Sequence, residues 1–249
     1  METINIRGVN FCNVTLDEAA AWAGDVLAAR PAAPCVVFTP NSEIVQLCIE
    51  HPAFYPLINS ADLIIPDGIG VVKAARILGT PLKGKVAGIE LGERTLAIAA
   101  EKGYSVYFLG AKPGVAEQAA ANMGEKYPGL TVAGTHDGYF QKEGEENEAV
   151  LAAIRAAAPD VLYVCLGVPA QEKWINANRA ALGGVSLCLA LGGSLDVWAG
   201  NVKRAPMIFI KLGLEWFYRL CCEPWRLGRM MKLPKFLFGT YAEKAKRKA

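Results

Sequence analysis

The sequence predicts an α/β protein: a Rossmann-like, mostly parallel sheet flanked by helices, followed by a C-terminal amphipathic helical appendage. Three observations predict it. Short, almost wholly apolar runs alternate with helical patterns up to about residue 200, as in a sheet covered on both faces. Four of these runs end in the same kind of turn, small polar or Gly/Pro residues leading into a helix: TPN at 39–41, PDG at 66–68, GAKPG at 110–114 and GVPAQE at 167–172. After Gly200 the alternation stops and helical runs rich in aromatic and basic residues take over. The chain therefore divides into an α/β body, 1–202, and a basic amphipathic appendage, 203–249.

Residues 3–11 read as a first strand. Thr15-Leu16-Asp17-Glu18 is a capping-box pattern that opens a helix to about Ala29. Cys35–Thr39 is a strand; Ser42 is placed to cap the helix carrying Ile44, Val45 and Leu47, and a short helix follows over 52–58. Leu63–Ile65 is a strand stopped by Pro66. A helix with Val71, Val72, Ala75 and Leu78 on one side follows its Asp67-Gly68 tip. Beyond a loop with Pro81, Gly84 and Gly88, helices are predicted over 90–102, from Gly114 to about Tyr127, over 144–158 and over 171–181. They alternate with strands at 105–109, 130–134, 161–166 and 185–191. Residues 206–222 form one helix-like run in which Lys211, Glu215 and Arg219 share a stripe, and Lys244–Lys248 reads as a frayed basic end.

Of the 249 residues 53% are hydrophobic and 20% charged, which supports a sizeable core and excludes disorder. The seven cysteines are odd in number and lack C-x-x-C spacing, so they read as thiols in a reducing cytoplasm rather than as a disulfide framework or a zinc site. The net charge of +2 hides a division. Residues 203–249 carry twelve basic and three acidic side chains, net +9, whereas residues 1–202 carry 14 basic and 21 acidic, net −7. A basic, aromatic tail on an acidic body calls for an anionic partner: a membrane surface, a phosphorylated lipid or nucleic acid. The polar start METINIRGVN does not resemble a signal peptide, and no apolar run approaches the ~20 residues that span a bilayer. A cytoplasmic protein, peripheral to a membrane, is expected.

The turns at the strand exits bring backbone N–H groups and helix N-termini to one edge of the sheet, an arrangement suited to a phosphate or diphosphate. Asp67 is then a carboxylate at the mouth of the sheet, able to act as a general base, a nucleophile or a hydroxyl-orienting group; its bland alternative is a turn or N-cap aspartate. Thr39 and Asn41 suit capping as well as ligand contact, Gln171-Glu172 suit a helix start, and Asp196 suits a turn. Arg219, Arg226 and Arg229 read as a solvated face unless Trp216 and Trp225 draw them to an interface. The chain lacks the G-x-G-x-x-G fingerprint, the P-loop, the G-x-S-x-G elbow and any D-x-D pair. These absences disfavour a dinucleotide oxidoreductase and a serine hydrolase.

Four blocks in order, ADLIIPDGIGVV, GVPAQEKW, GGSLDVWAGNVKRAP and GLEWFYRL…EPWRLGRM, carry a resemblance to the WecG/TagA/CpsF glycosyltransferases over nearly the whole chain. The resemblance implies a metal-independent, inverting transfer with no cofactor. Members similar to this chain move N-acetylmannosamine from UDP to undecaprenyl-diphosphate-linked N-acetylglucosamine in a β-1,4 linkage, early in wall teichoic acid synthesis; others use a UDP-mannosaminuronate or UDP-glucose type of donor for antigen, capsule or exopolysaccharide. Carried over by motif, Asp67 is the base, Thr39, Asn41, Gln171 and Asp196 contact substrate, and Arg219, Arg226 and Arg229 belong to an appendage that closes over the site at the inner face of the cell membrane. Lys85 stands where the family often has arginine, and it supplies charge to a diphosphate without arginine's bidentate fork. The implied partners are a UDP-sugar, a lipid-diphosphate acceptor and the membrane surface, with no nucleic acid. The apolar tail residues add an expectation of self-association. The rival of another class is a non-catalytic scaffold recruited to membranes by the tail.

Overall fold

The computed structural model describes residues 1–222 and 227–248, with backbone alone for residues 211, 219, 222, 229, 230, 247 and 248. The body contains a six-stranded sheet. Its strands are β3 (Cys35–Phe38), β4 (Leu63–Ile64), β5 (Ser105–Gly110), β6 (Thr131–His136), β7 (Val161–Cys165) and β8 (Leu187–Ala190), in the order β4-β3-β8-β7-β5-β6. Every neighbouring pair is parallel, so all strand exits lie on one edge, as the sequence predicts.

Alternate residues of each strand feed two cores. Val106, Phe108, Tyr163 and Leu189 face one side, with α1 (Leu16–Ala29), α5 (Gly88–Lys102), α6 (Val115–Lys126) and α9 (Ser194–Trp198). Tyr107, Leu109, Val164 and Cys188 face the other, with α7 (Glu145–Ala157) and α8 (Ala170–Asn178). Six free thiols are described, and Cys12, Cys48, Cys165 and Cys188 among them are buried, while Cys221 is exposed. The capping box on α1 is present: Glu18 N–H donates to Thr15 Oγ1, and Thr15 N–H donates to Glu18 Oε2.

Three details differ from expectation. Residues 3–11 are a hairpin, β1 (Thr3–Ile6) and β2 (Val9–Cys12), separate from the main sheet. Arg7 and Gly8 at its turn have φ of 51° and 91°, the left-handed pair that two-residue hairpins favour. The run at 206–222 is broken into α10 (Met207–Lys211) and α11 (Glu215–Cys222) by Gly213 at φ 69°, so Lys211 and Glu215 do not share a helical stripe. The basic end is not frayed. Residues Lys232–Lys248 form α13, preceded by the short α12 (Leu227–Met230).

Helix α13 packs on α2 (Ser42–Glu50) and α4 (Ile69–Leu78). There Phe236 is fully buried in a third core with Ile6, Phe11, Val45 and Val71. Arg7 reaches over from the hairpin. It donates to the Phe236 carbonyl at 3.1 Å and pairs with Glu243 at 3.3 Å, while Lys235 pairs with Glu50 at 2.6 Å. Gly70 permits the close approach of α4 to this helix, because a Cβ there would lie 2.6 Å from Leu233 Cδ1 and 2.8 Å from Ser42 Oγ.

Candidate active site

From β3 the chain enters α2, which packs on α13, whereas from β8 it enters α9, which packs on α6. Exits that diverge from adjacent strands open a crevice at the sheet edge. A cavity of about 220 Å³ lies beside the exits of β3, β4 and β8. Asn41, Glu43, Asp67, Lys85 and Ser194 line it on the side of the sheet, and Ile210, Glu215, Trp216 and Leu233 line it from α10, α11 and α13.

Backbone bonds hold the polar groups there. Ile65 N–H donates to Phe38 O, which carries β4 on to Pro66, and Val86 N–H donates to Pro66 O, which brings the loop with Lys85 alongside. The Asp67 carboxylate accepts from Gly88 N–H at 3.4 Å, at the first turn of α5, where the helix dipole favours negative charge. Asn41, not Ser42, caps α2, its Oδ1 accepting from the N–H groups of Glu43 and Ile44. Lys85 Nζ lies 3.4 Å from Glu215 Oε2. Arg204 connects Glu90 to the same carboxylate, its Nε 4.0 Å from Glu215 Oε1.

The other expected residues stand behind this wall. Thr39 Oγ1 donates to Ala190 O at 3.1 Å and ties the exit of β3 to that of β8. Gln171 is buried, its Oε1 accepting from Gly192 N–H at 2.9 Å, and Asp196 sits on α9 one residue before the lining Val197. Arg226 lies outside the described residues, as do the side chains of Arg219 and Arg229. Among the described residues no group of three or more His, Cys, Asp or Glu is arranged to hold a metal ion.

A profile of the "Glycosyl transferase WecG/TagA/CpsF family" matches residues 4–249. The chain belongs to the WecG/TagA/CpsF family. Two of its relatives carry the name N-acetylglucosaminyldiphosphoundecaprenol N-acetyl-beta-D-mannosaminyltransferase. The one from Bacillus subtilis (strain 168) is 38% identical over 213 residues, 86% of this chain and 81% of the relative. The one from Staphylococcus aureus (strain NCTC 8325 / PS 47) is 37% identical over 245 residues, 98% and 94%. In this WecG/TagA/CpsF chain the sequence reading missed Glu215, Trp216 and Leu233 as cavity residues. The GLEW block signalled the first two, but their direction depends on the break at Gly213. Leu233 had no local signal.

By sequence Glu172 is a helix-start residue. It is 1% exposed, and burial pushes its carboxyl up to about 7 against the opposing hydrogen bond from Gln171. The folded state therefore binds a proton more readily than the unfolded chain, so this group's effect on stability worsens as pH rises from the ordinary carboxyl range to about 7. The expected result is that Glu172→Gln gains thermal stability over the parent protein between about pH 5 and about pH 8. A melting difference that stays flat across that range would contradict it.

Proposed function

We propose that this protein transfers N-acetylmannosamine from its UDP conjugate to N-acetylglucosaminyldiphosphoundecaprenol, by single displacement and without a metal. The observation that carries this reading is the juxtaposition of Asp67 and Lys85 on one cavity, in a chain similar over most of its length to transferases of that name. Asp67 takes the proton from the acceptor hydroxyl as its oxygen bonds to the anomeric carbon. The bond from that carbon to the diphosphate breaks, and UDP leaves with the electron pair. Lys85 and the N–H groups at the strand exits meet the developing charge. Asn41 borders the sugar with Thr39 behind it, Asp196 lies toward the donor, and Gln171, buried behind the lining, serves the donor through the Gly192 turn that it holds.

Exposed Ile208, Leu212, Phe217, Phe238 and Tyr241, on an appendage whose sequence carries net +9, are the surface offered to the bilayer, and the assignment of Arg219, Arg226 and Arg229 to the site rests on the family motif alone. No described helix is long and apolar enough to cross a membrane. Cosedimentation with vesicles containing anionic lipid is expected, falling steeply as salt is raised. Equal binding to neutral vesicles would remove the electrostatic part of this reading.

The test of the reaction is incubation with a short-chain acceptor analogue and a panel of UDP-sugars, with chelator present. Product mass and UDP release from the mannosamine donor alone are expected. Turnover that appears only with added metal, or only with another UDP-sugar, would overturn the reading. Lys85→Met is expected to lower donor kcat/KM by about 10- to 100-fold, the loss of one charged contact, whereas Lys85→Arg retains activity. Wild-type kinetics in Lys85→Met would take Lys85 out of the site.

A further inference from the structure

Gln171 and Glu172 are adjacent, both 1% exposed, at the start of α8. Gln171 Nε2 donates to Glu172 Oε1 at 2.9 Å, and Gln171 Oε1 accepts from Gly192 N–H at 2.9 Å. A chain of two hydrogen bonds thus runs from a buried carboxyl, through an amide, to the backbone of the turn after β8. That turn continues into Gly193 and Ser194, which line the cavity. The second oxygen, Glu172 Oε2, is buried and has no hydrogen-bond partner among the described residues. A carboxyl is an expensive group to bury with half its acceptors unmet, and an apolar side chain of the same size would fill the space at lower cost. Packing therefore does not explain why a glutamate stands here.

The amide does explain it. A glutamine side chain can present either end to Gly192, and the two choices differ by a half-turn. Only one offers a carbonyl to the Gly192 N–H. An acceptor on the opposite side fixes that choice, and Glu172 Oε1 is that acceptor in either protonation state. We propose that Glu172 is a positioning residue: it holds the Gln171 amide in one orientation, and through it the turn after β8, so that the N–H groups of this turn, whose Gly193 and Ser194 line the cavity, are set for the sugar donor. This rests on the reading of the cavity as the donor site and of Gln171 as serving the donor through this turn.

The experiment compares Glu172→Leu, Glu172→Gln and Gln171→Ala by steady-state kinetics on both substrates, with melting curves. Glu172→Leu removes the acceptor and leaves a buried amide N–H unmet. It is expected to raise donor KM by about 3- to 10-fold, with acceptor KM and kcat little changed. Glu172→Gln keeps a carbonyl for the Gln171 amide and is expected to restore donor KM to near the parent value, which a space-filling role would not require. If Glu172→Leu leaves donor KM unchanged while Gln171→Ala raises it, the positioning role is wrong and the donor reading of Gln171 stands. If Gln171→Ala leaves donor KM unchanged, both are wrong. Equal losses in donor KM, acceptor KM and melting temperature in Glu172→Leu would also overturn the proposal, since they report general damage to the fold.

Discussion

Asp67→Asn is expected to lower kcat/KM by about 10²- to 10⁴-fold, the contribution of a positioned general base. Asparagine keeps the size of the side chain and an oxygen for Gly88 N–H, so the melting temperature should change little. What it loses is the capacity to take a proton. On the same side of the cavity Glu43, in the first turn of α2, is a further carboxylate, so Glu43→Gln is the control measured beside Asp67→Asn. Lys85 is a cation, and Asn41 spends its carbonyl on α2. Glu215 is a carboxylate on the same cavity, but it faces Lys85 and Arg204. The measurement is initial rate at saturating donor, with circular dichroism as the fold control. Activity within a few-fold of the parent protein would remove Asp67 from the base role. If Asp67→Asn is silent and Glu215→Gln is dead, the base is on the appendage.

Phe236→Ala is expected to cost about 3–5 kcal/mol, the usual range for emptying a buried aromatic site. For a protein of this size that corresponds to a fall of roughly 6–20 °C in melting temperature. The ring is fully buried between the hairpin, α2 and α4, and the Arg7 guanidinium lies over it at 5.8 Å. Its neighbour Leu233 lines the cavity, so catalysis should weaken along with the third core. Differential scanning calorimetry checks the first part, and assays well below the melting range check the second. A change under about 1 kcal/mol would mean that α13 is not anchored through this residue. The same contact bears on the appendage. A truncation at residue 203 removes Phe236 along with the basic surface, so its loss of activity would not by itself report on membranes.

The α/β class was legible because parallel strands buried on both faces read as continuous apolar runs, and because Thr15 and Glu18 announce a helix start locally. Asp67 was legible for the same kind of reason: Pro66 ends a strand, and the next residue sits at its tip. Strand order was not legible, since nothing in Cys35–Phe38 states that its neighbour will be Leu187–Ala190. The hairpin was missed because Arg7-Gly8 lacks the asparagine or aspartate that usually marks such a turn. Glu215 and Glu172 were missed for a common reason. A charged residue near a helix start looks like a cap or a solvated face until tertiary packing buries it, as with Glu172, or turns it onto a cavity, as with Glu215.

The cavity wall is assembled from residues made at very different times. Asn41 and Asp67 emerge early in synthesis, while Glu215, Trp216 and Leu233 emerge late. Phe236 follows them, and until it arrives the apolar faces of the hairpin, α2 and α4 have no cover. A ribosome-bound chain can build the central sheet but cannot close its third core, and exposed apolar surface of that kind invites aggregation or chaperone capture. The site is therefore complete only once synthesis has passed Phe236. A stalled or prematurely terminated chain would carry Asp67 and Lys85 without the wall that encloses them, and so could not draw on the donor pool.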